Sequence, residues 1–204
     1  MKNFALLSVI ISILLITSCS PSTPDAPYRV LSNTQVSQHP QVIEFFAYFC
    51  PHCNHLEATL GPWKNKLPSS VKLIRLPLTL GNAGTRIYSR AYFIGEGLHL
   101  LEKSHQALFD RYHKQKLTFQ NEQQLKAFFI SLGASETDYD IIANDPKIEQ
   151  KIDDAETLAK SMGIASVPSF VVNNRYMTDA GISGGEKELF SEINILLRKK
   201  ETTH

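Results

Sequence analysis

Residues 45–55 read FFAYFCPHCNH. Two cysteines, Cys50 and Cys53, stand two residues apart directly after a run of aromatic side chains, a spacing that suits a staple, a metal clip or a reaction centre. Residues 41–49, QVIEFFAYF, are rich in β-branched and aromatic side chains, which predicts a buried central strand in which Glu44 is the anomaly. From Pro51 onward Cys53, Leu56, Leu60, Trp63 and Leu67 recur near helical spacing, and Pro62 is expected to kink the later turns. The cysteine pair therefore sits where a strand passes into a helix. VKLIRLPL, residues 71–78, is a second strand candidate, so the order strand, helix, strand predicts a parallel βαβ unit.

Beyond this unit the pattern changes. Residues from about 84 to 162 read as helices, with Gly133 and Gly163 where C-terminal caps are wanted. VPSFVVN and RYMT form a hairpin candidate joined through Asn173 and Asn174, and EKELFSEINILLRKK reads as a closing amphipathic helix with a basic last turn. AGISGGE lacks the lysine and hydroxyl residue of a phosphate loop and reads as a turn into that helix.

The chain has 204 residues, 43% hydrophobic and 20% charged, which suits one globular domain. Acidic and basic residues interleave at a net charge of +1, which excludes the basic footprint of a nucleic-acid binder. Residues 1–18 have a basic start and an apolar stretch too short to span a bilayer comfortably, and are read as a signal peptide. Ile16-Thr17-Ser18-Cys19 resembles the lipobox of bacterial lipoproteins, which implies a lipidated Cys19 as the mature N-terminus. Residues 19–37, with SPSTPDAP at their start, are read as that lipid attachment and a flexible tether, and 38–200 as the folded domain.

With Cys19 lipidated, Cys50 and Cys53 can pair only with each other. A disulfide closing so short a loop removes little entropy from the unfolded chain, so reactivity explains the pair better than stapling. At the mouth of a helix the Cys50 sulfur would face unpaired N–H groups and the positive dipole end, both of which favour thiolate. His52 adds a donor, and Pro51 suits the first helical position. Metal binding is the rival, with His55 as a third ligand, but no second cysteine pair completes a zinc ribbon. His99, His105 and His113, six and eight residues apart, do not share a helical face by spacing and are read as solvated.

At this point the chain resembles the DsbA family of thioredoxin-fold thiol oxidases. FFAYFCPHC is similar to that family's strand and Cys-Pro-His-Cys centre, and SVPSFVVNNRY, residues 166–176, to its cis-proline segment. The resemblance implies an α/β thioredoxin fold with a central mixed sheet and a helical insertion at about 84–150. It implies a cis Pro168 packed beside Cys50, with Val167 offering backbone to an extended substrate; alone, Val-Pro would read as a trans start to a strand. It places Glu44 as a buried acid beneath the centre and Glu57 with Arg75 as a charged pair. Arginine departs from the commoner lysine there and cannot shed its proton. A family thiol pKa near 4 would favour the reduced form at pH 7 by about 4 kcal/mol, about 90 mV.

The implied function is donation of the Cys50–Cys53 disulfide to unfolded exported proteins in the bacterial envelope. A DsbB-like membrane oxidase is implied for reoxidation, the chain is expected to be a monomer, and no cofactor is expected. The alternatives are a reductase or isomerase of the same fold, and a soft-metal carrier lipoprotein using both cysteines and a histidine.

Overall fold

A computed structural model describes residues 26–32 and 34–199. The expected signal peptide, the lipidated Cys19 and the Pro-rich start of the tether lie outside the described residues. β2 (Gln41–Phe46) leads into α1 (Pro51–Lys64) and on to β3 (Lys72–Pro77). β2 and β3 pair in parallel, Glu44 opposite Arg75, as the βαβ reading requires. β4 (Ser169–Val172) lies antiparallel on the other side of β2 and carries β5 (Tyr176–Thr178) through a hairpin. Asn173 and Asn174 both hold positive φ, 53° and 57°, a geometry that asparagine tolerates.

The outermost strand on that side is β1 (Arg29–Val30), so the sheet order is β1-β5-β4-β2-β3. The span read as a tether to residue 37 therefore contributes to the fold from Pro27 on. A strand of two residues is too short to read from the sequence, but Tyr28 packs edge-on to Tyr176 and Leu31 N–H donates to the Arg175 carbonyl. The edge of β5 recruits β1 by supplying partners that no local pattern encodes.

Two layers of helix cover the sheet. α1 and α8 (Glu186–Arg198) pack Leu56, Leu60, Leu189 and Ile193 onto Val42, Phe170 and Val172. α6 (Pro146–Ser161) packs Ala155 and Ala159 onto Ile43, Phe45 and Val171 of the opposite face. α1 runs unbroken through Pro62, because the hydrogen bond that proline forfeits would go to exposed Ala58.

Between β3 and α6 stand α2 (Arg86–Gly97), α3 (Leu101–His113), α4 (Glu122–Ser131) and α5 (Glu136–Ala143). The stretch 84–114 is two helices turning at His99, which has φ 55°. Gly95 permits the close crossing: a Cβ there would stand 2.5 Å from Ser104 Oγ. The run 134–162 is likewise divided, by Asp145 capping α6 at Pro146. Gly133 and Gly163 sit past their helices at φ 107° and 66°. α7 (Ala180–Ser183) and Gly184 make the expected turn before α8. Among the described residues no helix is long and apolar enough to cross a membrane.

Candidate active site

The strand-to-helix junction places Cys50 as the N-cap of α1. β2 ends at Phe46, and Cys50 N–H bonds back to the Ala47 carbonyl at 3.1 Å, closing a turn that aims the sulfur at the start of the helix. Pro51 occupies the first helical position, where its missing N–H costs nothing. Cys53 N–H then points at Cys50 Sγ from 3.4 Å. Both sulfurs are free here; Cys50 is 7% exposed and Cys53 1%.

One turn of helix separates the two thiols electrostatically. The Cys53 thiol donates to Cys50 and brings its pKa down to about 6; burial opposes this, and the amides of Cys53 and His52 and the His52 ring add to it. Burial pushes Cys53 far up, and its hydrogen bond to Cys50 and the nearby Glu44 raise it further. The outer sulfur is thus a thiolate near neutral pH while the inner one keeps its proton. His52 is exposed on the rim of the site.

The chain returns to this point from 117 residues away. Cys50 Sγ lies 3.4 Å from the carbonyl oxygen of Val167, and the Val167–Pro168 peptide is cis. β4 starts at the next residue, so the backbone of Val167 stands at the sheet end beside the reactive sulfur.

Beneath Cys53 the structure gathers Glu44, Arg75 and Glu57. Arg75 Nε donates to Glu44 Oε2 at 2.5 Å, and the guanidinium fork engages both oxygens of Glu57. Glu44 is fully buried, and burial raises its pKa against the pull of Arg75. Burial also raises Glu57, but the His105 hydrogen bond and the Arg75 charge outweigh it and hold that carboxyl at about 2. Arg75 is held protonated between the two acids.

Histidines on α3 complete the arrangement and correct the expectation that they are solvated. His105 is 8% exposed, with Nδ1 2.7 Å from the Tyr48 hydroxyl and Nε2 3.3 Å from Glu57 Oε1. Burial, with Arg75 nearby, lowers its pKa to about 4, so it is neutral. A neutral ring facing a carboxylate through Nε2 carries its proton there, leaving Nδ1 to accept from Tyr48. His113 Nε2 stands 2.7 Å from the Tyr48 carbonyl and donates to it. His99 is exposed. Testing the three histidines only against one another missed this: His105 shares the helical face of buried Leu108 and Phe109, a signal present in the sequence. Among the described residues no group of three or more His, Cys, Asp or Glu side chains is placed to hold a metal ion.

Comparison with known proteins agrees with this geometry. The DSBA-like thioredoxin domain family matches residues 41–188. The thiol:disulfide interchange protein DsbA of Pseudomonas aeruginosa is 29% identical over 160 residues, covering 78% of this chain and 75% of that protein. The DsbA of Pectobacterium carotovorum is 25% identical over 207 residues, 97% of this chain and 98% of its own length. The crystal structure of P. aeruginosa DsbA superposes with a TM-score of 0.78 at 27% identity, covering 84% of this chain and 91% of that one. The chain belongs to the DSBA-like thioredoxin domain family and is a thiol:disulfide oxidoreductase with the thioredoxin fold.

Proposed function

We propose that this oxidoreductase works as an oxidase, passing the Cys50–Cys53 disulfide to thiols of unfolded exported proteins. The observation that carries the direction is the unequal pair of sulfurs, an N-capping Cys50 at about 6 above a buried Cys53 pushed far up. A substrate thiolate attacks Cys50 Sγ, the Cys50–Cys53 bond breaks, and Cys53 leaves and takes up a proton. A second substrate thiolate then attacks the substrate sulfur of the mixed disulfide and expels Cys50 as thiolate, leaving the substrate oxidised and both enzyme cysteines reduced. A leaving group stabilised as thiolate favours this last step.

With a pKa of about 6, the folded thiolate stabilises the reduced form at pH 7 by about 1.4 kcal/mol, about 30 mV. That is less than the 90 mV the family resemblance implied, because burial of Cys50 works against the helix amides.

In this reading His52 stabilises the Cys50 thiolate, and Pro51 sets the helix start. Val167 and Pro168 present backbone to the substrate beside Cys50, and Glu44 is the acid whose charge acts on Cys53, with Arg75 and Glu57 holding it in place. The segment 1–18 is removed on export, Cys19 carries lipid, and the protein faces the periplasm of the bacterial envelope as a monomer. A DsbB-like membrane oxidase restores the disulfide.

The deciding measurement equilibrates residues 20–204 in glutathione buffers of graded ratio and traps the thiols. A potential more oxidising than that of thioredoxin, about −270 mV, supports disulfide donation. A potential at or below it would overturn the oxidase reading and make the protein a reductase.

A further inference from the structure

β3 is the last strand of the sheet on its side, and a groove of about 740 Å³ runs along its outer edge. In the parallel pairing with β2, the N–H groups of Lys72 and Leu78 point inward, to the carbonyls of Pro40 and Phe46. Alternation along the strand turns the N–H and C=O of Leu73 and Arg75 outward, into the groove.

Exposed edges are ordinarily blunted along their length by charge or proline. Here Lys72 and Pro77 stand at the two ends of β3, and Leu73 to Leu76 between them are half-buried, with the Arg75 side chain turned inward onto Glu44 and Glu57. The walls mix apolar and charged side chains: Leu60 of α1 and Leu101 of α3 on one side and Phe93 of α2 and Leu158 of α6 on the other supply the apolar part. The rim charges cancel in pairs, Lys64 with Glu102 at 2.9 Å and Lys151 with Glu96 at 2.6 Å. Cationic and acidic side chains around the groove balance four against four, so its field selects neither an anion nor a cation. Outward main-chain donors and acceptors between walls whose charges balance suit an uncharged chain in extended conformation.

We propose that this groove docks an extended, uncharged segment of an unfolded polypeptide, which joins β3 as an added strand through the main-chain groups of Leu73 and Arg75. Main-chain bonds supply affinity without sequence selectivity, and side chains alternate between the two walls. The site is separate from the Cys50 sulfur and needs no thiol in the bound segment. A client held there would be retained through successive exchanges at Cys50.

The probe is a capped, cysteine-free peptide of alternating threonine and valine, about eight residues long so that it spans the 6 residues of β3. It is titrated into isotope-labelled protein, residues 20–204, which contains every described element. At concentrations up to about 1 mM, the amide signals of Leu73 and Arg75 are expected to shift, and their hydrogen exchange to slow about fivefold at saturation. The same peptide N-methylated at alternate residues, so that the edge it presents lacks donors, is expected to lose the effect.

A Cβ at Gly61 would enter open space in the groove, so Gly61→Phe is expected to fill it. That variant should abolish the shifts while oxidising glutathione at the unchanged rate; should it fail to fold, the N-methylated peptide decides alone. Three results overturn the proposal: no shift at Leu73 and Arg75, equal binding of the N-methylated peptide, or binding that survives Gly61→Phe in a folded protein. Perturbation confined to Val167 and Pro168 overturns the groove and leaves the Cys50 reading standing.

Discussion

The carbonyl oxygen of Val167 stands 3.4 Å from the sulfur of Cys50. On the proposed function, this backbone acceptor aligns the chain that carries the sulfur's partner. The opposing half of the site is the helix start, where the Cys53 amide points at the same sulfur from 3.4 Å.

Thiol titration of the reduced protein, followed by thiolate absorbance and alkylation rate, is expected to show Cys50 losing its proton near pH 6 and Cys53 keeping its proton through the range accessible to the fold. Because the folded pKa of Cys50 is depressed, its stabilisation of the reduced form is full above about pH 9 and vanishes as pH falls through about 6. The gap in potential from an unperturbed dithiol should follow the same curve.

His52→Ala should raise the Cys50 pKa by less than one unit and make the potential less oxidising by less than about 30 mV, since the ring adds to an effect that Cys53 and two backbone amides already produce. A shift of two units or more would mean that the histidine, and not the helix start, governs the thiolate.

Arg75→Met leaves Glu44 and Glu57 facing each other in the interior without a cation. The expected cost is about 3–5 kcal/mol in urea unfolding. Arg75→Lys keeps the charge but cannot span both acids with a planar fork, so it should recover only part of that loss.

Acid should weaken the fold through Glu57 and His105 of this cluster, against Glu44, whose pKa burial raises and which acts in the opposite sense. Glu57 has a depressed folded pKa, about 2 against 4.5, so its contribution is present above pH 4.5 and is lost as pH falls toward 2, by about 3 kcal/mol. His105, at about 4 against 6.5, cannot take in the folded state the proton it accepts when unfolded, so stability also falls from pH 6.5 to 4. Denaturant midpoints measured across that range should decline steadily, and Glu57→Gln should flatten the lower part of the curve.

Truncation to residue 32 removes β1, the Tyr28 contact with Tyr176 and the Lys199 bond to the Tyr28 hydroxyl, at an expected cost of about 2 kcal/mol. Truncation to residue 26 spares all three and should leave the melting temperature unchanged.

What local pattern encodes was legible in the sequence alone. The apolar run 41–46, the cysteines at a helix start, the paired asparagines and the amphipathic last helix each carry their signal within a few residues, through side-chain period, capping and turn chemistry. The tertiary structure decided what depends on meetings across the chain. β1 is a strand because β5 offers it an edge, and the helices at 84–114 divide where Gly95 lets one cross Ser104 of the other. The pKa values of His105 and Glu57 fall to about 4 and about 2 only because folding brings them together with Arg75 in a largely buried cluster. Burial and pairing across 18 to 57 residues of sequence are properties of the packed state, and no window of the chain contains them.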